Sequence, residues 1–227
     1  MRFRAIASDY DRTLANDGWV APATVDVLRR ARASGLKMIL ITGRVLDDLR
    51  TLFSELSLFD LVVAENGALL FDPALGSEEP LCGPSPDSFL QGLRDGGIPF
   101  VVGRRVVATV RPNEQVVLEL AKRLNLELQI SFNRESVMVL PSGVDKGSGL
   151  TAALAKLAIS PAEIVGIGDA ENDWAFLRLC RYSVAVANAI DSLKKQVDHV
   201  TRTRFGAGAT EVIEQVIAGA NFPGRSS

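Results

Sequence analysis

Residues 3–13 read FRAIASDYDRT, an apolar run that ends at a pair of closely spaced aspartates. A short apolar run bounded by polar residues is typical of a buried β-strand. Two more such runs follow at residues 37–41 and 61–64, and helical patterns at 22–33 and about 45–56 separate them. Strand, helix, strand, helix and strand in this order predict parallel βαβ units with right-handed crossovers.

The pattern changes in the middle of the chain, between about residues 72 and 141. A border rich in proline and glycine, residues 73–86, is interpreted as a loop. Beyond it, a helical segment followed by two strand-like runs occurs twice in succession. The repeat predicts a separate, small α+β layer inserted into the chain.

The alternation of helices and strands resumes at Lys146, and further strands are predicted at 164–167 and 183–186. The sequence therefore predicts an α/β fold, in which a Rossmann-like core with a parallel sheet carries an inserted α+β cap domain. The predicted bounds are residues 1–78 and 142–227 for the core and 79–141 for the cap.

The composition excludes several classes of protein. The 227-residue chain has a net charge of −2 and no basic surplus, which argues against nucleic-acid binding. Its single histidine, His199, excludes a histidine cluster or a conventional zinc site. The N-terminal apolar stretch is too short for a signal peptide, and no run approaches the roughly 18 apolar residues of a membrane span. We therefore expect a cytoplasmic protein with no nucleic-acid or membrane partner.

Small polar and acidic groups follow the predicted strands of the core. In an open parallel sheet, ligands bind in the crevice outside the carboxyl ends of the strands. The groups at these ends are Asp9 and Asp11, Thr42 to Arg44, Glu65 to Gly67, Asp169, and Asn188. Because all of them would face one crevice, the sequence predicts a single active site there.

The carboxylates in this set suit magnesium and phosphoryl chemistry. Asp9 and Asp169 are hard oxygen ligands of the kind that Mg²⁺ takes one or two at a time. Asp173, one helical turn beyond Asp169, would bind the metal directly or through its water. A carboxylate beside Mg²⁺ can attack phosphorus to form an aspartyl-phosphate, the role predicted for Asp9. Lys146, at the start of a helix, is the cation that would offset the negative charge.

Neighbouring residues would bind the phosphate and move protons. The Thr42 hydroxyl and the Gly43 amide are predicted donors to the phosphoryl oxygens. Asp11, two residues past Asp9, leaves the strand on the same side, so it is placed to protonate the departing alcohol and then activate water. Three roles stay open for Arg44: a surface arginine, an ion-pair partner or a substrate contact.

Four segments together resemble the signature motifs of the haloacid dehalogenase superfamily. Asp9-Tyr-Asp11-Arg-Thr13 is similar to its DxDxT motif, and Ile41-Thr42-Gly43-Arg44 is similar to its second motif. Lys146 corresponds to the third motif, and Gly168-Asp169-Ala-Glu-Asn172-Asp173 resembles the fourth, GDxxND. All four occur in the family's order, and the resemblance covers essentially the whole chain.

The resemblance implies roles for individual residues. Asp9 would be the nucleophile and Asp11 the general acid and base. The groups on the phosphate would be Thr42 and Lys146. The implied ligands of Mg²⁺ are Asp9, Asp169 and the backbone carbonyl of Asp11, supported by Asp173. The predicted substrate-binding residues are Thr42, Gly43, Arg44, Asn66, Lys146, Asn172 and Asn188.

The insertion resembles the short C2B cap of the Cof-type branch, subfamily IIB, of this superfamily. Residues 65–68 (ENGA) and 187–189 (ANA) resemble local signatures of that branch. The αββαββ form of the cap is similar to that of archaeal phosphoglycolate phosphatases and sucrose-phosphate phosphatases. One position departs from the family: Arg12 stands where glycine usually lies in DxDGT, which suggests a different turn or a substrate-facing charge.

The predicted activity is magnesium-dependent hydrolysis of a small phosphate monoester through phospho-Asp9. Phosphoglycolate, sugar phosphates and nucleotide-related phosphates all stay open as substrates, because cap loops carry no readable code. One alternative is a phosphomutase, although such mutases usually have larger caps and bind a bisphosphate. Another is a receiver-type phospho-acceptor module, against which Asp11 argues because it would promote hydrolysis of the phospho-aspartate. A dehalogenase is disfavoured, since attack on carbon needs neither Mg²⁺ ligands nor a second aspartate.

Overall fold

The computed structural model describes residues 3–133, 135–220 and 222. Its strands, in chain order, are β1 (Ala5–Asp9), β2 (Ala15–Asn16), β3 (Trp19–Val20), β4 (Lys37–Ile41), β5 (Leu61–Ala64), β6 (Leu69–Asp72), β7 (Ser77–Pro80), β8 (Val101–Val102), β9 (Val107–Val110), β10 (Leu128–Asn133), β11 (Ser136–Pro141), β12 (Ile164–Gly168), β13 (Tyr182–Ala185) and β14 (His199–Val200). Its α-helices are α1 (Pro22–Ala33), α2 (Leu46–Leu52), α3 (Asp87–Asp95), α4 (Glu114–Arg123), α5 (Lys146–Leu157), α6 (Trp174–Leu177), α7 (Asp191–Lys194) and α8 (Phe205–Ile217). Short 3₁₀ helices lie at Leu56–Leu58, Glu65–Gly67, Pro161–Glu163 and Glu171–Asp173.

The core is an eight-stranded sheet with the strand order β14-β13-β12-β1-β4-β5-β6-β7. The strands from β14 to β5 run parallel, and β1 lies between β12 and β4. In this register Ser8 pairs with Ile167, and Asp9 pairs with Ile41. The residues that end these strands therefore meet at one edge of the sheet.

Helices cover both faces of the core sheet. Leu28 of α1 and Val212 of α8 are buried against one face. Leu150 of α5 and Phe176 of α6 are buried against the other. Because both faces are covered, the apolar residues of β1, β4 and β5 are consecutive rather than alternating, which is the pattern expected of buried parallel strands.

The proline-rich border contains a strand. β7 pairs antiparallel with β6 and forms the edge of the core sheet, with Ser77 opposite Asp72. The interpretation of residues 73–86 as a continuous loop is therefore wrong at 77–80. An edge strand tolerates Pro80 because its outer side makes no ladder hydrogen bonds. β7 also spans the predicted boundary between residues 78 and 79, and the domain bounds stay a prediction.

The inserted segment forms a second layer of α and β structure. Its antiparallel sheet has the strand order β10-β11-β9-β8. Helices α3 and α4 pack on one face of that sheet through Phe89 and Val117. On its other face, Ala108 and Met138 cluster with Ala68, which precedes β6 of the core. The predicted α/β core with an inserted α+β cap is confirmed.

Some local elements differ from those predicted. The helical segment that follows Asp169 is a 3₁₀ turn and then the short helix α6, which ends at Leu177. Helix α8 begins at Phe205, and Gly206 in its first turn permits close packing on α1, since a Cβ there would lie 2.4 Å from the Thr24 hydroxyl. A hairpin of β2 and β3, which the sequence analysis missed, follows β1. Within the described residues, every helix is too short or too polar to cross a membrane.

Candidate active site

The candidate site is built at the carboxyl edge of the core sheet. Asp9 ends β1, Thr42 follows β4, and Asp169 follows β12. Asp173 lies in the 3₁₀ turn after Asp169, and Lys146 is the first residue of α5. All five residues are buried. Charged groups buried together must be paired with one another or bind an ion, because isolated charges are costly to remove from water.

Lys146 pairs with two of the carboxylates. Its Nζ donates hydrogen bonds to Oδ1 of Asp9 at 2.6 Å and to Oδ1 of Asp173 at 2.7 Å. Asp145 is the N-cap residue of α5 and fixes the start of that helix. Gly67 permits the close approach of the preceding turn, since a Cβ there would lie 1.9 Å from the Asp145 carbonyl oxygen. The ammonium group is therefore anchored between two carboxylates.

Asp173 is held by the backbone as well as by Lys146. Its Oδ2 accepts hydrogen bonds from the N–H of Asp169 at 2.7 Å and the N–H of Ala170 at 2.9 Å. Gly168 makes room for this contact, because a Cβ there would lie 2.7 Å from Oδ2 of Asp173. The glycine of the fourth motif thus permits a contact that fixes the orientation of its last aspartate.

The charges of the site oppose one another. Burial is the largest cause that raises the pKa of Asp9 well above its usual value. Repulsion by Asp173 raises this pKa further, whereas attraction to Lys146 lowers it. Burial alone would lower the pKa of Lys146, but attraction to Asp173 and Asp9 outweighs it and raises that pKa above the usual value of 10.5. Lys146 therefore stays protonated, whereas further positive charge would favour the ionised form of Asp9.

Three aspartates form a candidate metal centre. One carboxylate oxygen from each of Asp9, Asp169 and Asp173 lies within 4.8 Å of the others. Hard carboxylate oxygens suit Mg²⁺, and a dication there would supply the positive charge that Asp9 lacks. The structure thus brings the carboxylates of three predicted ligands together. Asp11, the fourth, has its carboxylate elsewhere, and the resemblance assigns only its backbone carbonyl to the metal.

Asp11 is held by an arginine. The guanidinium of Arg44 donates through Nε and Nη2 to the Asp11 carboxylate at 2.7 to 3.0 Å. Its Nη1 donates to Asp48 at 2.6 Å, and its backbone N–H donates to Oγ1 of Thr42 at 3.0 Å. Arg44 is therefore an ion-pair partner in this structure, one of the three roles left open. Its contact with substrate stays a prediction.

Two predicted substrate-binding asparagines lie beside each other. Nδ2 of Asn172 donates to Oδ1 of Asn66 at 3.2 Å. Gly43 lies beside the same amide, since a Cβ on it would be 3.9 Å from Oδ1 of Asn66. Asn66 has a φ of 56°, a left-handed conformation that asparagine tolerates better than most residues. The three residues border the same part of the site.

The third asparagine, Asn188, holds the loop that follows Asp9. Its Nδ2 donates to the Arg12 carbonyl at 2.8 Å, and its Oδ1 accepts from the Phe205 N–H at 2.6 Å. The side chain of Arg12 in turn reaches Asp169, with Nε 3.3 Å from Oδ2. The observed contacts of Asn188 orient the backbone, and its predicted contact with substrate stays a prediction.

Glu65 is a buried acid that the sequence predicts to face the crevice, and the structure pairs it with the cap instead. Its carboxylate accepts hydrogen bonds from the backbone N–H groups of Arg104 at 2.7 Å, Arg105 at 2.8 Å and Val106 at 3.3 Å. Gly103 is needed there, because a Cβ on it would lie 2.6 Å from the carboxylate. Glu65 thus fixes the first hairpin of the cap to the core. The only signal in the sequence is an acid at the end of a buried strand, and its first partner lies 39 residues away.

The Arg104 side chain makes a second connection between cap and core. It donates to Asp47 of α2 through Nη1 at 2.7 Å and Nη2 at 2.8 Å, and to Glu78 of β7 through Nε at 3.0 Å. The side chains of Arg104 and Asp47 are 40% and 59% exposed, so solvent and salt weaken their attraction. The buried Glu65 contact is therefore the stronger of these two polar connections.

A cavity of about 640 Å³ lies between the core and the cap. Among the residues that the structure describes, the charged side chains that line it come from the core: Asp11, Arg12, Asp17, Arg44 and Asp48. The cap contributes Val101, Ala108, Ser136 and Met138. A space of this size accommodates a small metabolite. The cap side of the cavity is mostly apolar, and the core side is charged.

Known proteins resemble this chain over nearly its whole length. The family model described as haloacid dehalogenase-like hydrolase matches residues 6–78 and 103–213. The chain is 29% identical to phosphoglycolate phosphatase 2 of Saccharolobus solfataricus, over 96% of this chain and 93% of that protein. It is 30% identical to a phosphoglycolate phosphatase of Haloarcula marismortui, over 90% of this chain and 93% of that protein. A solved structure of the HAD subclass IIB sugar phosphatase BT4131 aligns with a TM-score of 0.72 at 20% identity, over 93% of this chain and 98% of that chain.

These matches confirm the predicted resemblance to Cof-type phosphatases, the predicted fold and the predicted class of enzyme. The roles of individual side chains stay predictions, and they rest on the geometry described above.

Proposed function

The chain belongs to the haloacid dehalogenase-like hydrolase family, and we propose that it hydrolyses a small phosphate monoester with Mg²⁺, through an aspartyl-phosphate on Asp9. One observation carries the proposal: Asp9 lies 2.6 Å from Lys146 and shares a cluster with Asp169 and Asp173. A buried carboxylate beside a cation and two possible metal ligands is suited to attack a phosphate, whose negative charge would otherwise repel it.

The bound metal ion, held by Asp9, Asp169 and Asp173 with the Asp11 carbonyl, would supply positive charge to the phosphoryl oxygens. In the first step the Asp9 carboxylate attacks phosphorus, and the bond from phosphorus to the ester oxygen breaks. Asp11 gives its proton to that oxygen, so the leaving group departs as an alcohol. Lys146 stays protonated and offsets the charge on Asp9 throughout.

The second step returns the enzyme to its starting state. Asp11, now ionised, takes a proton from a water molecule whose oxygen attacks phosphorus. The bond between phosphorus and Asp9 breaks, and inorganic phosphate leaves. Arg44, which contacts the carboxylate of Asp11 through two nitrogens, keeps it oriented toward the cavity that both residues line.

We place the substrate in the phosphoglycolate or sugar-phosphate class. Two relatives with nearly the same length are named phosphoglycolate phosphatases, which supports the first. A sugar phosphatase shares the fold, and a cavity of about 640 Å³ has room for either substrate. The mostly apolar residues of the cap would lie over the leaving group and exclude water from it.

The experiment is phosphate release from phosphoglycolate, hexose phosphates and nucleoside monophosphates, with Mg²⁺ or with EDTA. We expect turnover in Mg²⁺ alone, and a loss of at least about 1,000-fold in kcat for Asp9→Asn. Asp26→Asn, on the exposed side of α1, is the matched control and should keep the wild-type rate. Mass spectrometry of acid-quenched enzyme should find phosphate on Asp9. Turnover by Asp9→Asn equal to that of the wild-type protein would refute the role of Asp9 as the nucleophile. Transfer of the phosphoryl group to a second hydroxyl instead of water would indicate a phosphomutase.

A further inference from the structure

Arg12 has an unusual backbone conformation for an arginine. Its φ is 63°, in the left-handed region that glycine adopts most easily and that costs other residues free energy. Phe205, with a φ of 52°, shares this feature, and its ring lies 5.5 Å from the Arg12 guanidinium. Asn188 joins the two through hydrogen bonds to the Arg12 carbonyl and the Phe205 N–H. The surroundings thus hold Arg12 in a conformation that it would not adopt unaided.

Two hydrogen-bonding nitrogens of Arg12 have no acceptor among the described residues. Of the two arginines that line the cavity, Arg44 uses Nε, Nη1 and Nη2 on Asp11 and Asp48. Arg12 uses Nε, which lies 3.3 Å from Asp169. Among the residues that the structure describes, its terminal nitrogens Nη1 and Nη2 have no acceptor, and its side chain is 29% exposed. Those two nitrogens are available to a ligand in the cavity.

Few other described side chains of the cavity can bind an anion. Within the part of the chain that the structure describes, the cap side chains there are uncharged, and the core contributes the carboxylates of Asp11, Asp17 and Asp48 against the guanidinium groups of Arg12 and Arg44. Lys146 is already paired with two buried carboxylates. Among the described charged side chains of this space, Arg12 is therefore the one that offers unused donors to an anion, beside the Mg²⁺ that we propose.

We propose that Arg12 is a substrate-binding residue whose terminal nitrogens contact an oxyanion of the substrate. The inference rests on the proposed phosphatase function and adds to it a residue that determines affinity. A guanidinium presents a planar fork of donors that matches two oxygens of a phosphate or a carboxylate. The oxyanion is either the phosphoryl group itself or a carboxylate on the leaving group, and the two sources give different results when Arg12 is replaced.

The test compares binding in Arg12→Gln and Arg12→Gly with that in Arg4→Gln. Arg12→Gly removes the side chain while relieving the left-handed conformation, so it has no backbone reason to misfold. Arg4 precedes β1 at the opposite end of that strand from Asp9 and is 54% exposed, which makes it a control outside the site. All three changes are made in the Asp9→Asn protein, which by the proposed mechanism cannot form the phospho-enzyme. Isothermal titration with inorganic phosphate and with phosphoglycolate, both in Mg²⁺, gives the affinities.

We expect both Arg12 variants to lose affinity by about 10- to 100-fold, as for the loss of a hydrogen bond to a charged group, and Arg4→Gln to bind like its parent. Weaker binding of both ligands would identify the phosphoryl group as the oxyanion. Weaker binding of phosphoglycolate with unchanged binding of phosphate would identify the carboxylate. Affinities within twofold of the parent for both ligands would overturn the inference. These titrations need no turnover, so a failure of the proposed hydrolysis in the wild-type protein would be seen separately.

Discussion

Nζ of Lys146 lies 2.6 Å from Oδ1 of Asp9, and the two side chains are only 2% and 5% exposed. The pair is part of a cluster in which Lys146 faces the carboxylates of Asp9 and Asp173, with Asp169 close by. Negative charge is therefore in excess at the centre of the site. A dication at this place would remove the excess, which connects the buried lysine with the metal dependence that we propose.

Replacing Lys146 by methionine should destabilise the protein strongly, by about 3–5 kcal/mol in EDTA. The reason is that Asp9 and Asp173 would face each other in the interior without a cation. The measurement is chemical denaturation in EDTA and again in Mg²⁺, where the ion should restore part of the loss. Lys156→Met is the control, because Lys156 pairs with Glu79 on the surface, and it should cost less than about 1 kcal/mol. Similar losses for the two variants would contradict the argument.

Magnesium should raise the melting temperature of the wild-type protein. An ion that binds only the folded state stabilises it by about 2.7 kcal/mol when its concentration is 100 times its Kd. Asp169→Asn removes one of three clustered carboxylates, so we expect the Mg²⁺-dependent shift to shrink or vanish. Thermal unfolding over a series of Mg²⁺ concentrations measures the effect. Asp191→Asn, whose side chain is 90% exposed, should retain the full shift. An undiminished shift in Asp169→Asn would exclude it as a ligand.

The core of the fold and the centre of the site could be predicted because their signals are local. β4 and β5 are continuous apolar runs, and parallel strands covered on both faces have this pattern. Asp9 ends β1, and Asp169 directly follows β12. The carboxyl ends of parallel strands lie at one edge of a sheet, so the strand assignments alone bring the two residues together.

Features that depend on distant partners could not be predicted in the same way. Glu65 is bound by backbone groups of the cap hairpin, and backbone donors leave no mark in the sequence. Arg44 had three possible roles, and only the fold shows that Asp11 and Asp48 occupy its guanidinium. β7 is polar and ends in proline, so its position at the sheet edge comes from pairing with β6 rather than from its own pattern.

Acid should remove the contribution of Arg104 to stability. Hydrogen bonds from Arg104 lower the pKa of Asp47 below its usual value of 3.8 and the pKa of Glu78 below its usual value of 4.5. In both cases they are the largest cause. Groups with a lowered pKa stabilise the folded state above their usual pKa, and the effect is lost as the pH falls through the folded values. We therefore expect Arg104→Met to cost up to about 1 kcal/mol at pH 7 and less at about pH 3, below the usual pKa of both acids, by urea denaturation at both values.

The matched control for this change is Arg94→Met in α3, since Arg94 donates to the neutral Gln91. Its effect on the free energy of unfolding should not depend on pH. High salt at pH 7 should also reduce the cost of Arg104→Met, because exposed ion pairs are screened. A cost that is the same at both pH values would show that Arg104 acts through packing instead of charge.

Glu65→Gln should loosen the cap hairpin while leaving the core folded. The carboxylate accepts three backbone hydrogen bonds, and an amide in its place turns an NH₂ group toward at least one of those donors. Leaving a buried donor unsatisfied costs about 1–3 kcal/mol. Amide hydrogen exchange should therefore become faster at Arg104 and Arg105, and stay unchanged at Ile6 in β1. Gly103→Ala should act in the same way, because its Cβ would lie 2.6 Å from the carboxylate. Unchanged exchange at the hairpin in both variants would mean that the cap is held by other contacts.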